Sequence, residues 1–139
     1  MTADCPACSG AWPRADTLVT RLSLSSAYLN EDQFFPGWTF LVLRRHATEL
    51  YGLTAAERAA LIEEVSAVAR ALAGVFGAVK MNYELLGNQV AHVHWHIVPR
   101  LAGDPSPRLP VWTVPHEPRR LPEPEFAERI AAIRAALGR

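Results

Sequence analysis

The sequence has no excess of either charge: fourteen Lys and Arg balance fourteen Asp and Glu. That balance removes the broad positive field with which proteins attract nucleic acid, so no nucleic-acid partner is expected and any phosphate must be held by a local site. Long apolar runs are also missing, and no basic segment followed by an apolar core opens the chain. Neither a membrane span nor a signal peptide is expected, and a cytoplasmic location is. Cysteine is scarce. Cys5 and Cys8 are the only two and lie in Cys-Pro-Ala-Cys, a spacing shared by zinc half-sites and redox dithiols; a structural disulfide fits a reducing compartment worst. There is no internal repeat. What is present is 139 residues, half of them hydrophobic, which suits one domain whose core needs no disulfides and argues against disorder.

Residues 1–16 hold the cysteine pair and two prolines with little periodicity, and read as an irregular arm unless a metal fixes them. Residues 17–24 are rich in strand formers, with Leu18, Leu22 and Leu24 of one parity, and Ser25-Ser26 permits a turn into a short strand at 27–30. Asp32 to Gly37 reads as a loop, and the Pro36-Gly37 punctuation precedes a central strand at 38–43 closed by Arg44, Arg45 and His46. Thr54-Ala-Ala-Glu57 matches a capping box. The helix behind it carries Leu61, Val65, Val68, Leu72 and Val75 as one apolar stripe opposite Glu63, Glu64 and Arg70, with Gly74 or Gly77 as its stop. Residues 80–86 form a plausible strand, which Gly87-Asn88 turns back antiparallel. Residues 101–121 are a proline-rich loop carrying Trp112 and His116, and a last helix lies within 122–139, with Phe126, Ile130, Ile133 and Leu137 on its apolar side. Strands, long helix, strands, loop and helix in that order favour an antiparallel α+β domain.

Three of the five histidines recur at every second position in Val-Ala-His-Val-His-Trp-His-Ile-Val-Pro-Arg, residues 90–100. That is the side-chain period of a strand, with His92, His94 and His96 on one face and Val93, Trp95 and Ile97 on the other. A solvated face, a metal site and nucleophilic catalysis all fit the residues taken alone. A neutral imidazole near pH 7 attacks an anionic phosphorus without charge repulsion and is also a workable leaving group.

His92-Val93-His94-Trp95-His96-Ile97-Val98 resembles the His-φ-His-φ-His-φ-φ motif, φ being apolar, of the histidine triad family of nucleotide hydrolases and transferases. The likeness extends over roughly residues 5–100, through Phe35-Pro36-Gly37, His46, the helix after Thr54, the Asn82 strand and Gly87-Asn88. Within the family it is similar to small bacterial proteins labelled diadenosine-tetraphosphate-hydrolase-like. The resemblance implies a five-stranded antiparallel sheet with a long helix, a symmetric homodimer, and reaction at a nucleotide α-phosphate, the substrate a dinucleoside polyphosphate or nucleoside phosphoramidate. It makes His94 the nucleophile of a nucleotidyl-histidine intermediate and places His96 beside the phosphate and leaving group. Asn82 and Asn88, with Gln89 as fallback, match positions of phosphate-binding amides, and Asn30 matches a ribose-binding position. It implies a structural zinc held by Cys5, Cys8, His46 and His92, a filled Cys2His2 shell. Trp38 departs from the family, many of whose members have a histidine there, and the loop at Asn88-Gln89 departs too. Trp38 motivates the alternative of a nucleotide-binding module with weak or lost catalysis; a zinc-dependent hydrolase is a third reading.

Overall fold

The structure, a computed structural model, describes residues 2–139; Met1, part of the expected arm, lies outside the described residues. Strands β1 (Leu18–Arg21), β2 (Ser25–Leu29), β3 (Thr39–Leu43), β4 (Lys80–Glu84) and β5 (His94–Arg100) form one antiparallel sheet in the order β1-β2-β3-β5-β4. Helices α1 (Pro6–Ser9), α2 (Ala55–Phe76) and α3 (Glu123–Ala136) complete the α+β architecture expected from the sequence.

One face of the sheet is the core. Val19, Ala27, Leu29, Leu41 and Ile97 meet Val65, Val68, Ala69 and Leu72 of α2 and Ile130 and Ile133 of α3. Each fully buried aliphatic side chain there contributes about 1.5–3 kcal/mol. α2 starts as its sequence dictates, with Glu57 N donating to Thr54 Oγ1 at 3.1 Å and Thr54 N to Glu57 Oε1 at 2.9 Å. It stops at Gly77, at φ 65°, and runs through Gly74. Gly37 is required twice over. Its φ of 87° disfavours a side chain, and a Cβ would lie 2.7 Å from the Phe76 ring and 2.9 Å from Pro99.

Two expectations are corrected in the hairpin. Ser25 and Ser26 open β2, and the turn is Leu22–Leu24, closed by Leu22 N donating to Ser25 O at 2.7 Å. Glu64 is the reason: placed by helical spacing on the polar side, it instead accepts from Leu24 N (3.0 Å) and Ser25 Oγ (2.6 Å), tying α2 to the hairpin. The histidine strand is also shorter than its alternation suggests. β5 begins at His94; His92 precedes it, its N–H donating to Val90 O at 2.8 Å. The arm is more regular than its composition suggests: a 3₁₀ turn at Thr2–Asp4, then α1 ended by Gly10 at φ 82°.

Candidate functional site

The opposite face of the sheet carries the chemistry. β3 and β5 pair antiparallel, so the end of β3 lies beside the start of β5, with Leu43 N donating to Val93 O (3.0 Å) and Val93 N to Ala47 O (2.8 Å). This pairing brings His46 to His92. Cys5 and Cys8, three residues apart at α1, present their thiols to the same place. His92 Nδ1 lies 3.4 Å from Cys5 Sγ, 3.6 Å from Cys8 Sγ and 3.3 Å from His46 Nδ1, and Cys8 Sγ lies 3.3 Å from His46 Nδ1. All four ligand atoms fall within 4.8 Å of one another. Tetrahedral zinc, with bonds of about 2.3 Å to sulfur and 2.0–2.1 Å to nitrogen, requires S···N edges of about 3.6 Å and N···N edges of about 3.3 Å. The four separations at His92 and between Cys8 and His46 match these edges to within about 0.3 Å. His92 Nε2 donates to Leu43 O at 2.6 Å, so its Nδ1 keeps a lone pair toward the thiols, the outer hydrogen bond typical of a metal-ligating imidazole. Burial holds the His92 pKa below its ordinary value.

His94 and His96 are both buried in the sheet and line a cleft of about 550 Å³, within the size range of small-molecule sites. His94 Nδ1 lies 2.6 Å from His92 O. A carbonyl only accepts, so Nδ1 carries a proton, and in the neutral ring the lone pair is on Nε2. The next imidazole is held the other way round. Trp38 Nε1 donates to His96 Nδ1 at 3.3 Å, which puts the His96 proton on Nε2. Burial, with His94 as neighbour, pushes the His96 pKa down to about 4, so at neutral pH it is an uncharged donor. Phe40 lies opposite His96 on β3 and stands edge-on to it. Trp12 closes the His94 end of the cleft and Trp112 the His96 end, with ring centroids 4.9 Å and 5.2 Å from those imidazoles.

Of the amide residues singled out in the sequence, Asn30, Asn88 and Gln89 line this cleft. Asn30 Oδ1 is already taken, accepting from Asp32 N at 3.0 Å, so its free group is the amide NH2. Asn82 is not brought to the cleft. It sits opposite Val98, two residues farther from the histidine pair, and its Oδ1 accepts from Arg100 Nη1 at 2.6 Å. Arg100 is itself buried. Its remaining donors go to Asp104 Oδ2 (2.5 Å) and Oδ1 (2.8 Å), Leu109 O (2.7 Å) and Ser106 O (2.6 Å), so Asn82 completes a knot that fastens the 101–121 loop to the sheet.

Three contributors were not singled out from the sequence. Asp32 lines the cleft mouth and receives His116 Nε2 at 2.8 Å, tying the far end of the same loop. Burial opposes its ionised form, but the Arg119 and Phe34 N–H groups and His116 hold its pKa below the usual value; burial likewise opposes the His116 cation, and Asp32 raises that pKa. Glu84 lies opposite His96 on β4 and accepts from Trp112 Nε1 at 2.5 Å, while its buried Oε2 has no partner among the described residues. Trp12 is the third. Local pattern gives no signal for any of them, because Trp12 and Asp32 reach the cleft, and Glu84 the cleft residue Trp112, through contacts between segments distant in sequence.

A five-stranded antiparallel sheet that sets two buried imidazoles in one cleft, one donating and one accepting through Nδ1, beside a Cys2His2 cluster, defines a class of histidine-based site. The HIT domain family model matches residues 14–103, and the chain belongs to the histidine triad (HIT) family. Over 98 residues it is 31% identical to the asymmetrical bis(5'-nucleosyl)-tetraphosphatase of Schizosaccharomyces pombe, covering 67% of this chain and 54% of that protein. The chain thus spans about half the length of that curated relative. A crystal structure of a histidine triad protein from Sinorhizobium meliloti 1021 is 33% identical, with a TM-score of 0.79 over 86% of this chain and 87% of that one. A zinc-bound histidine triad family protein from Mycobacterium smegmatis, 21% identical, shares the fold with a TM-score of 0.72 over 99% of this chain and 96% of its own.

Proposed function

We propose that the cleft binds a nucleotide and that His94 attacks its α-phosphate. The observation that carries this reading is the His94 Nδ1–H bond to His92 O, which fixes the ring and makes Nε2 the nitrogen that bears the lone pair of the neutral imidazole. The Nε2 lone pair forms the N–P bond, the bond from phosphorus to the leaving group breaks with its electron pair, and the leaving group takes a proton from water. Water then attacks phosphorus, the N–P bond breaks, a proton is released and His94 regains its lone pair. His96, uncharged with its proton on Nε2, donates a hydrogen bond to a phosphoryl oxygen or to the leaving atom. Its neutrality avoids repulsion from the cationic ring that His94 becomes in the intermediate. Asn88 and Gln89 serve as uncharged donors to the phosphate, and Asn30 serves the ribose.

Among the described residues, those lining the cleft include no lysine or arginine, and the one acid is Asp32. A polyphosphate chain would receive no cationic partner from them. The reading therefore favours a substrate with one ionised phosphoryl group, a nucleoside phosphoramidate, over a dinucleoside polyphosphate such as the name of the fission-yeast tetraphosphatase gives for that protein. Trp38 and the low His96 pKa are what support the alternative, a nucleotide-binding module with lost catalysis.

A zinc ion fits Cys5, Cys8, His46 and His92, as the match of their separations to tetrahedral edges supports. With four protein ligands it has no open position, and its chemistry there is structural. The homodimer is proposed for the free edge of β4, where Tyr83 is exposed.

Incubation with adenosine 5'-phosphoramidate separates enzyme from binding module. The enzyme releases AMP and carries an adenylyl mass on His94, while His94→Ala binds AMP without turnover. Near-normal rates in His94→Ala would end the assignment of the nucleophile.

A further inference from the structure

Residues 2–13 are attached to the sheet in an unusual way. Every backbone hydrogen bond they make among the described residues is internal to the segment: Cys5 N to Thr2 O, Ser9 N to Cys5 O, Trp12 N to Pro6 O. The side-chain polar contacts that reach outside it are those of Cys5 and Cys8 with His46 and His92. Four residues past Cys8, the half-buried Trp12 ring packs on Phe40 at 5.0 Å and on His94 at 4.9 Å, and lines the cleft. Trp12 N–H is itself bonded into the turn that carries the thiols, through Pro6 O at 3.1 Å. His92 is a second link, its ring in the cluster and its carbonyl on His94 Nδ1.

We propose that Trp12 is a ligand-contacting residue, an aromatic face for the base or leaving group at the His94 end of the cleft, and that the Cys5–Cys8–His46–His92 cluster positions it. Metal occupancy and nucleotide affinity are then coupled. The proposal rests on reading the cleft as a nucleotide site. Without the metal the segment keeps its packing and the weak thiol–imidazole contacts, and the wall it forms loosens; with it, metal bonds would hold the ring before the ligand arrives, and less ordering opposes binding. The coupling is reciprocal by linkage, so the ligand must tighten the metal by the factor with which the metal tightens the ligand.

The test uses the zinc-loaded 139-residue chain with AMP as the probe. Calorimetry on wild type, Trp12→Phe and Trp12→Ala is expected to show Trp12→Ala weakened about five- to hundredfold, the range of one base–aromatic stack, and Trp12→Phe much less. Zinc affinity by chelator competition is expected to rise with AMP in wild type and to stay constant in Trp12→Ala, which needs no folded metal-free protein. If AMP binds wild type and Trp12→Ala equally, or if AMP leaves the zinc affinity of wild type unchanged, the proposal falls and the nucleotide reading stands. If AMP fails to bind loaded wild type, both fall; protein that takes up no zinc overturns the coupling.

Discussion

Acidification should unfold this protein partly through one imidazole. His96 is 8% exposed, and burial beside His94 lowers its pKa to about 4, against about 6.5 in an unfolded chain. Between those values the unfolded chain binds a proton that the folded chain refuses. Stability from this group is therefore complete above pH 6.5 and falls with pH until about 4, where both states are protonated. The whole shift corresponds to about 3 kcal/mol, and going from pH 7 to pH 5 costs about 2 kcal/mol. The perturbation is that pH change in zinc-loaded wild type and in His96→Gln, whose side-chain oxygen can accept from Trp38 Nε1 but does not titrate. Urea unfolding gives the loss for each protein, and the difference between the two losses cancels contributions from other acids and from the cluster. Wild type should lose about 2 kcal/mol more than the variant. Equal losses would refute a buried, neutral His96 and the uncharged donor role built on it.

Trp38→Phe removes the N–H that only the uncharged His96 ring can use, so the His96 titration followed by NMR should move up from about 4; an unchanged titration would mean that the indole does not set the tautomer. The double variant Cys5→Ser, Cys8→Ser should bind no zinc and lose several kcal/mol, because binding energy at a structural site is folding energy; metal analysis finding none in wild type, with both thiols free, refutes the cluster's role. Asp104→Asn strands the buried Arg100 cation and should cost about 3–5 kcal/mol by urea unfolding, releasing the 101–121 loop; a cost under about 1 kcal/mol would show the knot to be dispensable.

Much of the fold follows from local rules. The Thr54–Glu57 box and the stripe from Leu61 to Leu72 specify α2 because capping and helical spacing depend on residues within a few positions of one another. The motif around His94 and His96 announces an imidazole face for the same reason, since a strand alternates whatever it pairs with. The resemblance supplied the four cluster residues and the two cleft histidines together. Asn82, which it also included, bonds instead to Arg100 across the sheet, itself committed to Asp104, a contact that no local pattern announces. Ser25 and Glu64 were misread, their bond spanning the hairpin and α2.

The sequence by itself determined which chemical groups are available and in what local order: three alternating histidines, a cysteine pair, a capped amphipathic helix, a Pro-Gly turn. Only the tertiary structure decided their states. Which nitrogen of His94 and of His96 holds a proton depends on a carbonyl two residues away and an indole fifty-eight residues away. That His92 serves the cluster, and that Trp12 reaches the cleft, depends on β3 and β5 pairing and on thiols that fasten the arm to their ends. Proton position and cleft walls are set by contacts between distant segments, and those exist only once the chain has closed on itself.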